Sequence, residues 1–155
     1  ALSYADLRTL GKQKDTRLPE HEIVMNLDGS MERFIWMLNG KKYEDSEPIK
    51  LKYGERVRLK FVNNTMMAHP MHLHGHVFTV LAENGKPLTG SPVHQDTVLV
   101  PPHATYDVAF VANNPGIWML HCHNFLHANW GMDMMVMYNV STPYTVGTAS
   151  GNFPD

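Results

Sequence analysis

Arg56-Val57-Arg58-Leu59-Lys60-Phe61-Val62 alternates basic and apolar side chains as far as Phe61. Successive side chains of an extended chain point to opposite faces, so this stretch predicts a strand with one face in a core and one in water. Tyr106-Asp107-Val108-Ala109-Phe110-Val111 repeats much of the pattern. Working outward from these two, Glu22–Leu27, Phe34–Leu38, His76–Ala82, Thr97–Val100, Gly116–His121 and Met132–Tyr138 also read as strands. Turn chemistry separates them at Asp28-Gly29, Asn39-Gly40, Tyr53-Gly54, Asn84-Gly85, Pro101-Pro102 and Asn114-Pro115-Gly116. No stretch carries a long amphipathic pattern of helical period. Many short strands at this spacing predict an all-β sandwich or barrel.

The chain has 155 residues, the size of one ordinary domain. Residues 1–20 are charged and lack a sustained period, so they read as an arm or interdomain linker. Residues 21–140 form the β domain, and the Ser/Thr/Gly/Pro-rich stretch 141–155 reads as a tail. The chain starts at Ala1 with no initiator Met, which leads us to expect that a leader or a preceding domain has been removed. Lys and Arg number 13 against 15 Asp and Glu, a balance that points to neither nucleic acid nor an anionic membrane as partner. No apolar run approaches the roughly 20 residues of a membrane span.

There are 10 His and 11 Met but one Cys. A single Cys forms no internal disulfide, so it is a buried thiol or a ligand. It sits in His121-Cys122-His123-Asn124-Phe125-Leu126-His127, followed by Met132. A second cluster is His69-Pro70-Met71-His72-Leu73-His74-Gly75-His76. A blue-copper site takes two imidazoles, a thiolate and a weak axial thioether. Cys122, His127 and Met132 supply three of these in one short segment, and His69 is the natural fourth. The histidines near His69 would suit zinc if they stood alone, but the Cys motif favours copper. Residues two apart on a strand share a face. His72 and His74 are therefore expected to aim together, and His121 and His123 to aim together on the side opposite Cys122. An electron arriving at Cys122 would then have covalent neighbours leading to a second group of metals.

These paired motifs resemble the last domain of multicopper oxidases, the family of laccases and bacterial copper-resistance oxidases. Tyr4-Ala5-Asp6-Leu7-Arg8, Ser30-Met31-Glu32-Arg33 and Lys52-Tyr53-Gly54-Glu55-Arg56 are similar to the copper-resistance branch. The resemblance implies a cupredoxin-like Greek-key β-sandwich. It also implies a type 1 copper on His69, Cys122, His127 and Met132, a type 2 copper on His72, and a type 3 pair on His74, His121 and His123. His127 would be the electron entry and Cys122 the relay. The family's trinuclear site takes eight histidines, so this chain carries half of it. The implied partner is an N-terminal cupredoxin domain with two His-x-His motifs. Many relatives carry an acidic residue after the histidine matching His127, where this chain has Ala128, so the resemblance implies either that protons reach oxygen by another group or that the parent enzyme is slower.

The remaining candidates have plainer readings. His76 reads as a packing or supporting residue, and His21, His94 and His103 as surface or loop residues without partner spacing. Asp96 either hydrogen-bonds a ligand loop or caps a turn. Met66, Met67, Met71, Met134, Met135 and Met137 are expected to fill the core, with an auxiliary cuprous-ion site of exposed thioethers as the alternative. Asn63-Asn64-Thr65 and Asn139-Val140-Ser141 match the glycosylation pattern weakly.

The resemblance thus implies a periplasmic or extracellular oxidase that takes electrons from phenols, aromatic amines or metal ions such as Cu(I) and reduces oxygen to water. The chain alone is expected to lack oxidase activity and to self-associate, with a homotrimer as the expected assembly. A stand-alone blue-copper electron carrier and a copper-tolerance binding module are the alternatives. The carrier has no use for four further histidines aimed away from its copper.

Overall fold

The computed structural model describes residues 17–30, 35–38, 47–88, 93–124 and 131–138. These residues hold twelve strands: β1 (His21–Ser30), β2 (Ile35–Leu38), β3 (Ile49–Leu51), β4 (Arg56–Asn63), β5 (His69–Leu73), β6 (Phe78–Glu83), β7 (Lys86–Pro87), β8 (Val93–Gln95), β9 (Thr97–Val100), β10 (Thr105–Val111), β11 (Ile117–Cys122) and β12 (Asp133–Tyr138). One sheet runs β2-β1-β4-β10-β6-β7, with β8 also beside β6, and the other runs β3-β12-β11-β5-β9. β1 with β4 and β3 with β12 pair in parallel; the other pairs are antiparallel. Neighbours distant in sequence, such as β4 beside β10 and β5 beside β11, are the crossovers of a Greek-key sandwich.

The alternation that predicted β4 decides its orientation. Val57, Leu59 and Phe61 are buried in the core while Arg58, Lys60 and Val62 lie on the half-exposed outer face. Opposite them, Tyr106, Val108 and Phe110 of β10 join the same core. The inner faces of both sheets form one apolar cluster, in which Met25, Leu27, Phe61 and Phe78 meet Met71, Leu73, Val98 and Leu120. β10 departs from a two-faced strand because Asp107 and Ala109, on its outer side, are buried as well. Asp107 is held there by the Arg58 guanidinium.

Residues 17–20, the end of the expected arm, lie along β4. Arg17 donates to the Gly54 carbonyl at 3.0 Å, Glu20 N–H donates to the Arg56 carbonyl at 2.9 Å, and Arg56 donates to the Arg17 carbonyl. Residues 1–16 and the stretch 139–155 lie outside the described residues.

The structure corrects the turn expected at Asp28-Gly29. Both residues sit inside β1, paired with Met37 and Trp36, and the strand continues to Ser30. The Asp28 side chain accepts from Asn64 Nδ2 at 2.9 Å instead of capping a turn. Asn84-Gly85 is a tight hairpin turn between β6 and β7, with φ of 50° and 78° at its two central residues. The Asn39-Gly40 turn falls outside the described residues.

Candidate metal centre

β5 and β11 are adjacent and antiparallel, with His72 opposite His121, Met71 opposite Cys122 and Leu73 opposite Leu120. That register sorts the two histidine motifs by face. Met71, Leu73, Leu120 and Cys122 point into the core, and His72 and His121 point out of it. β5 ends at Leu73 and β11 at Cys122, so His74 and His123 lie just past the strand ends. They still converge on the same group. Ring centroids are 4.9 Å apart for His72–His74 and His74–His121, 5.6 Å for His72–His121, 5.7 Å for His72–His123 and 5.8 Å for His121–His123.

Backbone carbonyls select which ring nitrogen of these histidines faces the group. His72 Nδ1–H donates to the Asp96 carbonyl at 2.8 Å, and His121 Nδ1–H to the Cys122 carbonyl at 2.9 Å. Each therefore turns its Nε2 lone pair inward. His74 Nε2 and His121 Nε2 are 2.8 Å apart. One ligand atom each from His72, His74 and His121 fits within a 4.8 Å span, close enough for a shared metal. Burial pulls the His121 pKa below its usual value, the Cys122 carbonyl opposes this, and His72 and His123 lower it further. The neutral imidazole, the form that binds metal, is the favoured one.

On the inner side, His69, Cys122 and Met132 are all fully buried. Cys122 Sγ lies 3.7 Å from His69 Nδ1, and Cys122 N–H donates to the Met132 carbonyl at 3.0 Å, which draws the methionine alongside. Burial pushes the Cys122 thiol up to about 11, with partial relief from the Asn124 backbone. A soft thiolate, an imidazole and a thioether sealed from water form a donor set that suits copper. His127, with Ala128, lies outside the described residues.

A further set of hydrogen bonds fixes the turn that carries His74. His76 Nδ1–H donates to the His74 carbonyl at 2.9 Å, and the Tyr138 hydroxyl donates to His76 Nε2 at 2.6 Å. The same hydroxyl accepts from Asn114 N–H at 3.2 Å, Asn114 Nδ2 donates to the Gly75 carbonyl at 3.1 Å, and Trp118 Nε1–H donates to the Asn114 carbonyl at 2.8 Å. His76 thus supports a neighbouring histidine, as its plainer reading expected. Asp96 contributes through its backbone carbonyl, with its side chain exposed.

His94 and His103 are exposed and His21 is half-exposed, with His21 and His94 on strands rather than loops; His21 pairs with Glu55 at 3.2 Å and His94 meets Thr79 Oγ1 at 3.1 Å. Other expectations need correction. Met71, Met132 and Met134 fill the core, but Met66 is 80% exposed, because its position follows the loop rather than a strand face. Met119, Met135 and Met137 are half-buried on the outer face of their sheet. Asn63 of the Asn63-Asn64-Thr65 pattern is buried, with its amide committed to the carbonyls of Met67, Val100 and Pro101, so it presents no glycosylation site. Asn139-Val140-Ser141 lies outside the described residues. Sequence reasoning missed Thr65, Asn63, Asn114 and Tyr138 as parts of the site's support. No local pattern marked them, since Asn64, Asn113 and Asn139 beside them are polar as well.

The family model for multicopper oxidases matches residues 16–142. The chain is 42% identical over 131 residues to the copper resistance protein A homolog of Pseudomonas syringae pv. tomato, covering 84% of this chain and 22% of that protein. It is 39% identical over 120 residues to the multicopper oxidase MmcO of Mycobacterium tuberculosis, covering 77% and 23%. Among solved structures, the McoA multicopper oxidase of Aquifex aeolicus superposes with a TM-score of 0.71 at 28% identity, covering 85% of this chain and 32% of that one. The blue copper oxidase of Nitrosomonas europaea gives 0.72 at 26%, covering 81% and 46%. The chain spans about a fifth of the length of the curated relatives it matches.

Proposed function

This chain belongs to the multicopper oxidase family and has its cupredoxin-like β-sandwich fold, and from that premise we propose that it is the copper-bearing C-terminal domain of such an oxidase. The observation that carries the reading is the sorting of one short segment onto two faces. Cys122 points inward beside His69 and Met132, while His121 points outward into ring contact with His72 and His74. His69, Cys122, Met132 and His127 hold a type 1 copper. His72 serves a type 2 copper, and His74, His121 and His123 serve a type 3 pair shared with a domain that supplies two His-x-His motifs. Copper held there supplies one-electron chemistry linking a reducing substrate to molecular oxygen.

The chain's own residues set the conditions for that chemistry. The buried thiol and thioether exclude water from the inner site. The Asp96 and Cys122 carbonyls hold His72 and His121 with Nε2 presented. The peptide units joining Cys122 to His121 and His123 are the shortest covalent route between the two faces, with His127 as the entry. Substrates of the assembled enzyme are phenols, aromatic amines or metal ions such as Cu(I), and its compartment is periplasmic or extracellular. Among the described residues no helix is long and apolar enough to cross a membrane. A bare histidine face beside Met119, Met135 and Met137 favours self-association of the chain on its own, with a trimer as the proposed assembly.

Copper counting with oxygen-uptake measurements tests this reading. One blue copper per chain, with uptake appearing only after the complementary domain is added, is the expected result. Uptake that never appears in the reconstituted protein would reject it. The stand-alone carrier is disfavoured by the converged outer imidazoles, which it would not need.

A further inference from the structure

Beneath the inner site lies a buried polar network whose carbonyl acceptors draw the Thr65 hydroxyl hydrogen away from His69. Asn63 is almost wholly buried, and its amide nitrogen faces the carbonyls of Met67 at 2.8 Å, Val100 at 3.1 Å and Pro101 at 2.9 Å. Three acceptors on that side fix the amide orientation, so Asn63 Oδ1 faces Thr65. It accepts from Thr65 N–H at 2.9 Å and lies 2.7 Å from Thr65 Oγ1. A carbonyl oxygen is an acceptor only, so the hydroxyl hydrogen of Thr65 points at Asn63 or at the Met67 carbonyl, 3.1 Å away. Thr65 Oγ1 also meets His69 Nε2 at 2.6 Å. With its only hydrogen committed elsewhere, Oγ1 must accept there, and His69 Nε2 must carry the proton. A neutral imidazole protonated on Nε2 has its lone pair on Nδ1, the atom that faces Cys122 Sγ at 3.7 Å.

We propose that Thr65, held by Asn63, is a positioning residue that locks His69 in the tautomer presenting Nδ1 toward Cys122, so that the inner site is set for metal before metal arrives. The lock deepens the copper reading above and rests on it for its function, though the tautomer itself is a property of the metal-free chain. The opposite hydroxyl orientation would bring two acceptor oxygens together at 2.7 Å inside a site closed to water. Thr65 is itself buried, so water cannot take over its role. A hydroxyl is required at this position: an apolar side chain of the same shape leaves Nε2–H without an acceptor, and the metal must then bind a ring that has lost its preferred tautomer.

The test begins without metal or mutation. Long-range nitrogen-15 correlation spectra of the copper-free, 155-residue chain report which ring nitrogen of His69 is protonated. A proton on Nε2 is expected, and a proton on Nδ1 overturns the proposal. Cuprous-ion affinity is then measured by competition with a chromophoric chelator. Thr65→Val should weaken it about tenfold to a hundredfold and mix the His69 tautomers, whereas Thr65→Ser should restore both toward the parent. Unchanged affinity in a folded Thr65→Val chain, or equal loss in Thr65→Ser, overturns the lock. If Thr65→Val does not fold, the spectra of the parent chain and of Thr65→Ser decide. A parent chain that binds no copper but shows Nε2–H at His69 would reject the copper reading and leave the tautomer lock standing.

Discussion

His69 Nδ1 and Cys122 Sγ face each other across 3.7 Å in a core that admits no solvent to either residue. They come from β5 and the end of β11, neighbours whose register pairs Cys122 with Met71, two residues beyond His69. An imidazole nitrogen and a sulfur this close, with a buried methionine bonded through its carbonyl to the Cys122 N–H, make a soft-donor set. Cupric copper added to the chain should therefore give an intense visible absorption from the thiolate. Cys122→Ser should abolish that band while leaving the far-ultraviolet circular dichroism of the β-sandwich unchanged. A colourless loaded parent chain would contradict the ligand set.

Met132→Leu should keep the site coloured and raise its reduction potential. The thioether is the weak donor of the set and stabilises the cupric state more than the cuprous one. Leucine keeps the buried volume, a swap that costs less than about 1.5 kcal/mol of stability. Voltammetry of the two loaded proteins is the measurement. Equal potentials would assign the axial position elsewhere, with Met134 the neighbouring candidate.

Much of this arrangement was legible in the sequence, for reasons that differ from element to element. β4 and β9 were readable because one face of each is apolar and the turns around them carry Gly or Pro. β5 is absent from the strands that the apolar pattern predicts, although the two-residue period applies to His72 and His74, within and just past it. His69, Pro70 and His72 replace the apolar and β-branched residues that mark a strand, and Pro70 argues against one. The facing of Cys122 against His121 followed from the two-residue period alone. What supports them did not: the Asp96 carbonyl reaches His72 across 24 residues, and the Tyr138 hydroxyl reaches His76 across 62. Contacts of that range depend on register between strands, and no local pattern encodes it.

Gly75→Ala should be severely destabilising. Gly75 has φ of +72°, and a Cβ there would lie 2.9 Å from Trp118 ring atoms and from Asn114 Nδ2. The left-handed conformation costs a non-glycine residue roughly 1–2 kcal/mol, and overpacking adds about 1–3 kcal/mol. Trp118 cannot swing aside without losing its bond to the Asn114 carbonyl. Denaturant unfolding of the metal-free chain checks the loss. A stability within about 0.5 kcal/mol of the parent would show that the turn relaxes freely.

Tyr138→Phe should act on the same turn more gently. It removes the hydroxyl that donates to His76 Nε2 and accepts from Asn114 N–H. Buried His76 and half-buried Asn114 each lose a contact, for an expected cost of about 1–3 kcal/mol. Since His76 holds the His74 carbonyl, metal binding by the outer imidazoles should weaken along with stability. Cobalt titration followed by visible spectroscopy separates the two effects, and unchanged cobalt affinity would exclude a role for Tyr138 in placing His74.

The buried thiol makes the metal-free chain sensitive to alkali. Cys122 ionises near 9.0 when unperturbed and is pushed up to about 11 by burial in the fold. Between those values the unfolded thiol has released its proton and the folded one has not, so the folded state binds more protons and stability falls as the pH rises. The contribution is fully present below about pH 9 and lost through the folded value, amounting to on the order of 2–3 kcal/mol. Tyr138, pushed up to about 12 by burial, adds a loss of the same sign at higher pH. Urea unfolding from pH 8 to 11 should therefore show a steeper decline for the parent than for Cys122→Ser. Parallel curves would remove the thiol as the cause.

The chain on its own should not reduce oxygen to water at any useful rate, and a count of its imidazoles says why. Of its 10 histidines, His69 and His127 are assigned to the inner copper. His76 has both ring nitrogens engaged, by the His74 carbonyl and the Tyr138 hydroxyl. His21 and His94 lie on β1 and β8 of the opposite sheet, and His103 stands in the turn between β9 and β10. That leaves His72, His74, His121 and His123, each offering one nitrogen to the outer group. Four such donors hold a metal or two, but they fall short of the eight that the family's three-copper arrangement takes. In the function proposed above, a second surface bearing two His-x-His motifs would complete it. Oxygen-electrode measurements with a phenolic donor should show uptake at background for the loaded chain and a large rise when the complementary domain is supplied in complex with it. Rapid uptake by the chain alone would mean that copies of it complete the site for one another, a result that light scattering across a concentration series would then reveal as an assembly active only above its dissociation constant.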